Sequence, residues 1–317
     1  MSQLVIRSRA SVLILAMACL LATAGAAKDE RTLIEAKESL YNQIYVYKEH
    51  DWLLMTFGFN KALFIESAFN PKDEFELPAP YTRYMTAGLA YAKNVSSILE
   101  IGFGGGRTSW YLHRSLPEVP IVSAEIDPVV VDLSHKYFGI KGEPNFKVDN
   151  EDGRQFLTHA TERYDMILLD AYHGPFVPFH MLTQEFYRLV AARLAEGGVV
   201  MQNLAPESAL FDAVVKTMAS VFPQMDIYPS ENNAVIVAYQ GAAKSKEDLA
   251  RLAEARQAEY KLRYALPGLL AERRPISGVD GALDLNAKIL TDDFAPAEAL
   301  KAIEKHNRQW PPPSAVP

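Results

Sequence analysis

Residues 97–106 have the sequence SILEIGFGGG, a short apolar strand that runs directly into a glycine-rich turn. Three further apolar segments follow and end in acidic or polar residues, within 119–127, 146–153 and 164–173. Apolar segments that alternate with helical stretches at this spacing indicate an α/β fold with a mostly parallel sheet. Because the carboxyl ends of parallel strands share one edge of the sheet, these four strand ends are predicted to surround a single ligand-binding crevice.

The residues at these strand ends suit a nucleoside that carries a cationic tail. Gly102, Gly104 and Gly106 would let the backbone approach a ligand closely and adopt positive φ angles. Glu125 ends the second strand about twenty residues after the glycines, where a carboxylate can accept hydrogen bonds from both ribose hydroxyls. Asp152 ends the third strand and could accept a hydrogen bond from an exocyclic amine such as that of adenine.

Asp170, at the end of the fourth strand, is the predicted catalytic residue. It would act as a general base toward an attacking amine or stabilise a cation electrostatically, and the alternative is a helix N-cap. Tyr172 would form a wall of the adenosyl or acceptor pocket, or be an ordinary buried tyrosine. His173 is a candidate substrate contact, and His180 is a less favoured one. The loop between these histidines is a candidate lid.

Two other acidic positions are predicted to cap helices. Asp127 precedes Pro128, which suits the first turn of a helix, so its carboxylate is expected at the N-cap. Asp292 and Asp293 would either cap a last helix or close over the crevice, and the cap is the preferred interpretation.

Composition narrows the class of protein. The chain has 317 residues, of which 49% are hydrophobic, enough for the core of one large domain with appendages. Its formal net charge of -7 argues against a nucleic-acid-binding protein, which would need a basic face. No His/Cys cluster has metal-ligand spacing, so no metal is expected. The histidines predicted to lie at the surface are His113, His135, His159 and His306.

Residues 1–27 have the order of a secretory signal peptide. Arg7 and Arg9 precede an apolar run from Val12 to Ala22, and small residues follow. The run is short for a transmembrane helix, so the mature chain is predicted to be exported or periplasmic, without a stable membrane span. Cleavage would remove Cys19, the only cysteine; a lipid anchor at Cys19 is less favoured because the preceding residues form a poor lipobox.

The rest of the chain divides into four predicted regions. Alternating apolar and aromatic residues between 41 and 69 predict a small sheet of hairpins, and a further antiparallel hairpin over 225–239 is predicted to end the main sheet. The predicted regions are an N-terminal β-hairpin region at 28–77, a Rossmann-like adenosyl-binding domain at 78–240, a C-terminal helical region at 241–310 and a disordered tail at 311–317.

Several segments together resemble the spermidine synthase (polyamine aminopropyltransferase) family, over roughly residues 36–240. The similar segments are Glu38–Val46, Gly102–Gly106, Glu125–Asp127, Asp152–Gly153, Tyr164–Asp170 and Thr183–Tyr187. The sequence is most similar to a divergent bacterial branch, which also has a motif like that at residues 290–296.

The resemblance implies a Rossmann-like class I methyltransferase sheet, mostly parallel with an antiparallel terminal hairpin, and a small N-terminal β-hairpin region. It also implies a small-molecule amine acceptor and a co-substrate, either decarboxylated S-adenosylmethionine or S-adenosylmethionine, without a metal. Family members are commonly dimers built through the N-terminal region, so the resemblance also implies a homodimer. Tyr81 would lie on the acceptor side. The implied co-substrate-binding residues are Glu100, Gly102, Gly104, Gly106, Glu125, Asp152 and Gly153.

The sequence departs from the family at positions that select substrates. Gly105 stands where members usually carry an aspartate that holds the amino end of decarboxylated S-adenosylmethionine and would repel the carboxylate of the intact compound. His173 replaces a second aspartate, while Arg83 and Lys61 replace an acid and a glutamine, which argues against putrescine as acceptor. Glu100 is instead an acid common in methyltransferases.

Three functions therefore stay open. Aminopropyl transfer is the first, and methyl transfer from intact S-adenosylmethionine is the second, favoured by Glu100 and Gly105. The third is an exported, non-catalytic binder of a nucleoside or polyamine. The leader conflicts with the two enzymatic functions, because both co-substrates are cytoplasmic metabolites.

Overall fold

The computed structural model describes residues 31–59, 62–276 and 287–293. No helix within these ranges has the length and apolar character needed to cross a bilayer. The predictions that lie outside them concern the leader at 1–27, Lys61, His306, the tail at 311–317 and the end of the 290–296 motif.

A four-stranded antiparallel sheet forms the N-terminal part of the described chain. Its strands are β1 (Thr32–Glu38), β2 (Gln43–Glu49), β3 (Trp52–Phe59) and β4 (Ala62–Phe69), paired in chain order. The predicted hairpins are present, but the sequence prediction missed β1. This strand is exposed along nearly its whole length, so it lacks the apolar alternation that marks a half-buried strand.

An eight-stranded sheet carries the strand ends that were predicted to surround the crevice. The order across the sheet is β12-β10-β11-β9-β8-β5-β6-β7, with β5 to β9 parallel and β11 antiparallel to both β9 and β10. The predicted parallel sheet with an antiparallel terminal hairpin is confirmed. The strands are β5 (Ile98–Ile101), β6 (Ile121–Ala124), β7 (Phe146–Asp149), β8 (Tyr164–Leu169), β9 (Leu194–Leu204), β10 (Gln224–Ser230), β11 (Asn233–Tyr239) and β12 (Arg274–Pro275).

Helices and connecting segments cover both faces of this sheet with apolar side chains. Residues 80–91 form two short helices, because Thr86 and Ala87 form a turn between them. The helices are α1 (Pro80–Met85), α2 (Gly88–Tyr91), α3 (Arg107–Ser115), α4 (Pro128–Tyr137), α5 (Gly153–His159), α6 (Gln184–Arg193), α7 (Phe211–Ala219), α8 (Lys246–Tyr260) and α9 (Leu266–Ala271), with a 3₁₀ turn at Phe179–Met181.

His113 is buried, so its predicted surface position is wrong, whereas His135 and His159 are exposed as expected. The His113 ring packs against Trp110 and Phe146, with ring centroids 5.5 and 5.3 Å away. Nearly all of α3 is buried, so the polar residues of this helix do not mark a solvent face. Burial lowers the pKa of His113, which favours the neutral ring.

Asp127 caps α4, as predicted, and also fastens the N-terminal sheet to the main sheet. Its Oδ1 accepts from the Val129 amide at 3.0 Å. Its Oδ2 accepts from Ser39 Oγ at 2.5 Å and from Asn42 Nδ2 at 3.0 Å. Because Ser39 and Asn42 belong to the β1–β2 turn, one carboxylate fixes both a helix start and a hairpin tip.

Replacing Asp127 with alanine should therefore destabilise the protein by about 1–2 kcal/mol or more, since a helix cap and two hydrogen bonds to the N-terminal sheet are lost together. Urea denaturation measures the change. Asp132→Ala, at an exposed position of α4, is the matched control and should have little effect. Equal effects of the two substitutions would contradict this role of Asp127.

Candidate active site

A cavity of about 350 Å³ lies at the carboxyl edge of the main sheet. It lies between the ends of β5 and β8, where the strand order reverses. From β5 the chain adds β6 and β7 on one side of the sheet, and it then returns to place β8 on the other side of β5. Such switch points are the usual ligand sites of open α/β sheets. The four predicted strand ends all contribute to its lining, and the N-terminal sheet closes the opposite side.

The glycine turn after β5 has a backbone that other residues would not tolerate. Gly102, Gly104 and Gly106 have φ angles of 89°, 52° and 67°. A Cβ atom at Gly102 would lie 2.5 Å from the Ala171 Cα. The turn therefore packs directly against the end of β8, and its amides donate to neighbouring oxygens, among them those of Glu125 and Ser67.

Asp170 is held at the floor of the cavity by two side chains. Tyr81 Oη donates to its Oδ2 at 3.0 Å, and Asn203 Nδ2 donates to its Oδ1 at 2.8 Å. Burial raises the pKa of Asp170 to about 7, although both hydrogen bonds lower it. No helix begins at Asp170, so the alternative interpretation as an N-cap is wrong. A carboxyl group with this pKa is suited to accepting a proton near neutral pH.

Asn203 was not among the residues predicted from the sequence. It lies near the end of β9, on the same edge as the four predicted strand ends. Asn233 Nδ2 donates to its Oδ1 at 2.9 Å, which orients the amide so that its NH₂ group points toward Asp170. The end of the fifth strand was a usable signal, since parallel strands bring all their carboxyl ends to the same edge.

Glu125 is bound to the glycine turn in this structure. Its Oε2 accepts from the amides of Phe103 and Gly104 at 3.0 and 3.2 Å, and its Oε1 accepts from the Asp127 amide at 3.0 Å. Burial nevertheless raises the pKa of Glu125. A carboxylate has about four acceptor positions, so binding two ribose hydroxyls would require the turn amides to give up part of Oε2.

Asp152 caps a helix with one carboxylate oxygen, and its other oxygen is in a position to bind a ligand. Its Oδ1 caps α5 by accepting from the amides of Arg154 and Gln155, both at 3.0 Å. Its Oδ2 is 3.0 Å from His180 Nε2, so the less favoured histidine is the one that reaches a predicted site residue. The adjoining Gly153 would place a Cβ atom 2.1 Å from Ile101 Cγ2, so the close packing of α5 on β5 needs glycine there.

Asp292 lies beside this cluster and contacts two of its neighbours. Both of its oxygens accept from the Arg154 guanidinium, and Thr183 Oγ1 donates to Oδ1 at 2.7 Å. The residues after Asp293 lie outside the described ranges, so the cap interpretation of this pair stays a prediction. Asp293, the other residue of the pair, ends the described segment.

Tyr172 and His173 both line the cavity, but they differ in how they are held. Tyr172 Oη donates to the Asn203 backbone oxygen at 3.3 Å, which places the ring beside Asp170. His173 is exposed and pairs through its backbone with Phe176, closing the turn that contains Gly174. Their predicted contacts with substrate remain predictions.

Two more acids, Glu100 and Glu66, line the cavity, and both have raised pKa values. Burial raises the pKa of Glu100 to about 8, where Ser123 Oγ donates to its carboxyl group at 2.8 Å. Burial and the charges of Asp170 and Glu125 raise the pKa of Glu66 to about 8 as well. The sequence analysis missed Glu66, although a single acid within the apolar strand β4 was a visible signal.

The structure changes how two departures from the family are interpreted. Arg83 does not line the cavity, because its Nε donates to the Leu77 oxygen at 2.9 Å and its guanidinium lies over the Tyr264 ring. It therefore does not oppose a cationic acceptor. A Cβ atom at Gly105 would lie 2.6 Å from Ser67 Cβ, so an aspartate there would also displace β4 and would not test charge alone.

The acids that line the cavity therefore favour a positively charged ligand. The only arginine among its described lining residues, Arg107, directs its guanidinium to the backbone oxygens of Glu74 and Phe138. Within the described ranges no group of acids, histidines or cysteines is arranged to hold a metal ion. The sheet order and the acidic cavity at the switch point together define a class I methyltransferase-like protein.

Comparisons with known proteins agree with this class and identify the family. The spermine/spermidine synthase domain matches residues 81–234. A polyamine aminopropyltransferase from Vibrio vulnificus is 31% identical over 283 residues, which are 86% of this chain and 92% of that protein. The structure of a probable spermidine synthase from Corynebacterium glutamicum superposes with a TM-score of 0.66 at 21% identity, covering 82% of this chain and 97% of that one.

The chain belongs to the spermidine synthase (polyamine aminopropyltransferase) family, a family of transferases, and the resemblance found in its sequence is confirmed. It is also similar to a methyltransferase. The eEF1A lysine and N-terminal methyltransferase of Bos taurus is 30% identical over 170 residues, which are 48% of this chain and 24% of that protein.

The carboxyl group of Glu100 should make the free energy of unfolding of the protein decrease as pH rises. Its pKa is about 8 in the folded protein and 4.5 in its unperturbed state, so its contribution is complete below about pH 4.5 and is lost as pH rises through about 8. Glu100→Gln should remove this loss and be more stable than the parent at about pH 9 by a few kcal/mol, at about 1.4 kcal/mol per pKa unit.

Thermal unfolding followed from about pH 5 to about pH 9 measures this difference. Glu118→Gln, at an exposed position, is the matched control and should follow the parent at every pH. A constant difference between Glu100→Gln and the parent across this range would contradict the raised pKa.

Proposed function

We propose that the protein transfers an aminopropyl group from decarboxylated S-adenosylmethionine to an amine acceptor. The observation that carries this proposal is the environment of Asp170. This carboxyl group has a pKa near 7 and is positioned by Tyr81 and Asn203 in a cavity lined by further acids. Family membership supports aminopropyl transfer as the general reaction.

In the proposed reaction Asp170 prepares the acceptor for attack. Its ionised carboxylate takes a proton from the acceptor's ammonium, and the freed nitrogen lone pair attacks the aminopropyl carbon next to the sulfonium. A carbon–nitrogen bond forms while the carbon–sulfur bond breaks. Its electrons go to sulfur and leave neutral methylthioadenosine. Tyr81 keeps its proton, because burial raises its pKa well above the usual range, and so holds Asp170 in place as a donor.

The remaining predicted residues would bind and orient the co-substrate. Gly102, Gly104 and Gly106 would allow its tail to lie against the turn backbone. Glu125 would accept the ribose hydroxyls after exchanging turn amides for them, and Asp152 would accept from the adenine amine on the free lone pair of Oδ2. Binding of this kind places the reacting carbon at a fixed distance from the acceptor nitrogen.

Methyl transfer from intact S-adenosylmethionine is the second candidate. Gly105 carries no acid to repel the co-substrate's carboxylate, and the similarity to a methyltransferase favours the same reaction. The two reactions share the sulfonium and differ in which of its carbons faces the acceptor. The products distinguish them, because one reaction releases methylthioadenosine and the other releases S-adenosylhomocysteine.

Asp170→Asn should lower kcat by about 10²–10⁴-fold and leave co-substrate affinity nearly unchanged, since the amide keeps the shape but cannot accept a proton. In the parent, kcat should rise with pH through about 7, because only ionised Asp170 is active. The assay combines each co-substrate with diamines and longer polyamines and detects both nucleoside products by mass spectrometry.

Asp132→Asn, an exposed substitution, is the control and should match the parent. A parent protein that binds the co-substrate but releases neither nucleoside with any acceptor would contradict the enzymatic proposals. That result would support the non-catalytic binder.

We also propose that the chain is exported and assembles as a homodimer through its N-terminal sheet. The leader sequence supports export, and the exposed side chains of Leu33 and Ile34 on β1 offer apolar surface for assembly. Native mass spectrometry of the chain secreted by a bacterial host should detect twice the mass of a chain that begins at residue 27 or 28. A monomer would contradict the proposed homodimer, and a chain that retains the leader would contradict the proposed export.

A further inference from the structure

Glu66 occupies an irregular position in β4. In the pairing with β3, Thr56 is opposite Ile65 and Met55 is opposite Ser67, so Glu66 has no partner residue. This is a β-bulge, in which an extra residue turns side chains away from the regular alternation. As a result, the consecutive residues Glu66 and Ser67 both line the cavity.

The carboxyl group of Glu66, which lines the cavity, has one oxygen without a hydrogen-bond partner. Its Oε1 is fully buried and has no hydrogen-bond partner among the described residues. Three other acids that line the same cavity, Glu100, Glu125 and Asp170, all accept hydrogen bonds. A buried carboxyl oxygen without a partner is costly to a folded protein, which makes it a candidate for binding a ligand that supplies the missing donor.

Glu66 also lies close to Gly105, the position of the glycine turn at which members of the family usually carry an aspartate. The Gly105 amide donates to Ser67 Oγ at 2.8 Å, so β4 and the turn touch at this point. Ser67 Cβ occupies the space into which a side chain at Gly105 would extend. An acid can therefore reach this part of the cavity from β4 but not from the turn.

We infer that Glu66 is a specificity-determining residue, whose carboxylate binds the terminal ammonium of the co-substrate's aminopropyl tail from the bulge in β4. This inference rests on the proposed function. The carboxylate attracts a tail that ends in an ammonium alone and repels one that also carries a carboxylate. Glu66 thus supplies, from β4 beside the turn, the charge that Gly105 does not provide, and the site selects the decarboxylated sulfonium.

The experiment measures binding by calorimetry in the absence of any acceptor, with the parent and Glu66→Gln. The ligands are decarboxylated S-adenosylmethionine, S-adenosylmethionine and methylthioadenosine, which lacks the tail. The parent should prefer the decarboxylated compound, and Glu66→Gln should reduce this preference by about tenfold or more, because glutamine keeps the size and loses the charge. Methylthioadenosine should bind equally to both proteins, which shows that the cavity is intact.

Glu38→Gln, an exposed change in the same sheet, is the control and should keep the parent's preference. A parent that prefers the decarboxylated compound while Glu66→Gln prefers it equally would overturn the role of Glu66 and leave the proposed function standing. A parent without that preference would overturn both. If co-substrate binding is unchanged, steady-state kinetics with the amine acceptor follow, and a higher KM for the amine in Glu66→Gln would assign Glu66 to the acceptor and also overturn the inference.

Discussion

The close contact between the glycine turn and the end of β8 is the constraint on which the site depends. The Asp170 amide donates to the Ile101 oxygen at 2.8 Å, and a side chain at Gly102 would meet the Ala171 backbone. Neither backbone can move away without breaking the pairing of β5 with β8 in the middle of the sheet. Glycine at this position therefore brings the turn and the carboxyl group of Asp170 into one crevice, and the other walls are arranged around that contact.

The same crevice is a source of instability in the protein without a bound cation. Glu66, Glu100, Glu125 and Asp170 all have raised pKa values, and burial is the largest cause for each of them. Protonation reduces the repulsion among them, and a cationic ligand would reduce it further while stabilising the folded state by linkage. Stability is thus lower in the part of the fold that is suited to binding, a common compromise at functional sites.

Much of this arrangement could be predicted from the sequence, because strand ends are defined locally. The apolar segment before Gly102 and the polar residues after each strand identify the sheet edge, since parallel strands leave no alternative for where they meet. Glu66 could not be assigned to the site in this way. It reaches the cavity through a bulge between two strands of another sheet, and pairing register is not visible in a single segment. The orientation of Arg83 toward Tyr264 is equally nonlocal, so its charge was wrongly assigned to the crevice.

The relation between Gly105 and Glu66 shows why a motif and a site should be distinguished. A motif describes which residue type stands at one position of a turn, whereas a ligand responds to the charge that surrounds it, from whichever strand that charge comes. The glycine at position 105 suggests a cavity without an acid that selects ligands by charge. However, the space beside Gly105 is occupied by Ser67, and the residue before Ser67 is the acid Glu66. The bulge in β4 instead places the Glu66 side chain in the cavity wall beside the turn. The absence of the turn aspartate therefore does not by itself favour intact S-adenosylmethionine, since an acid on the adjacent strand can provide the same selection.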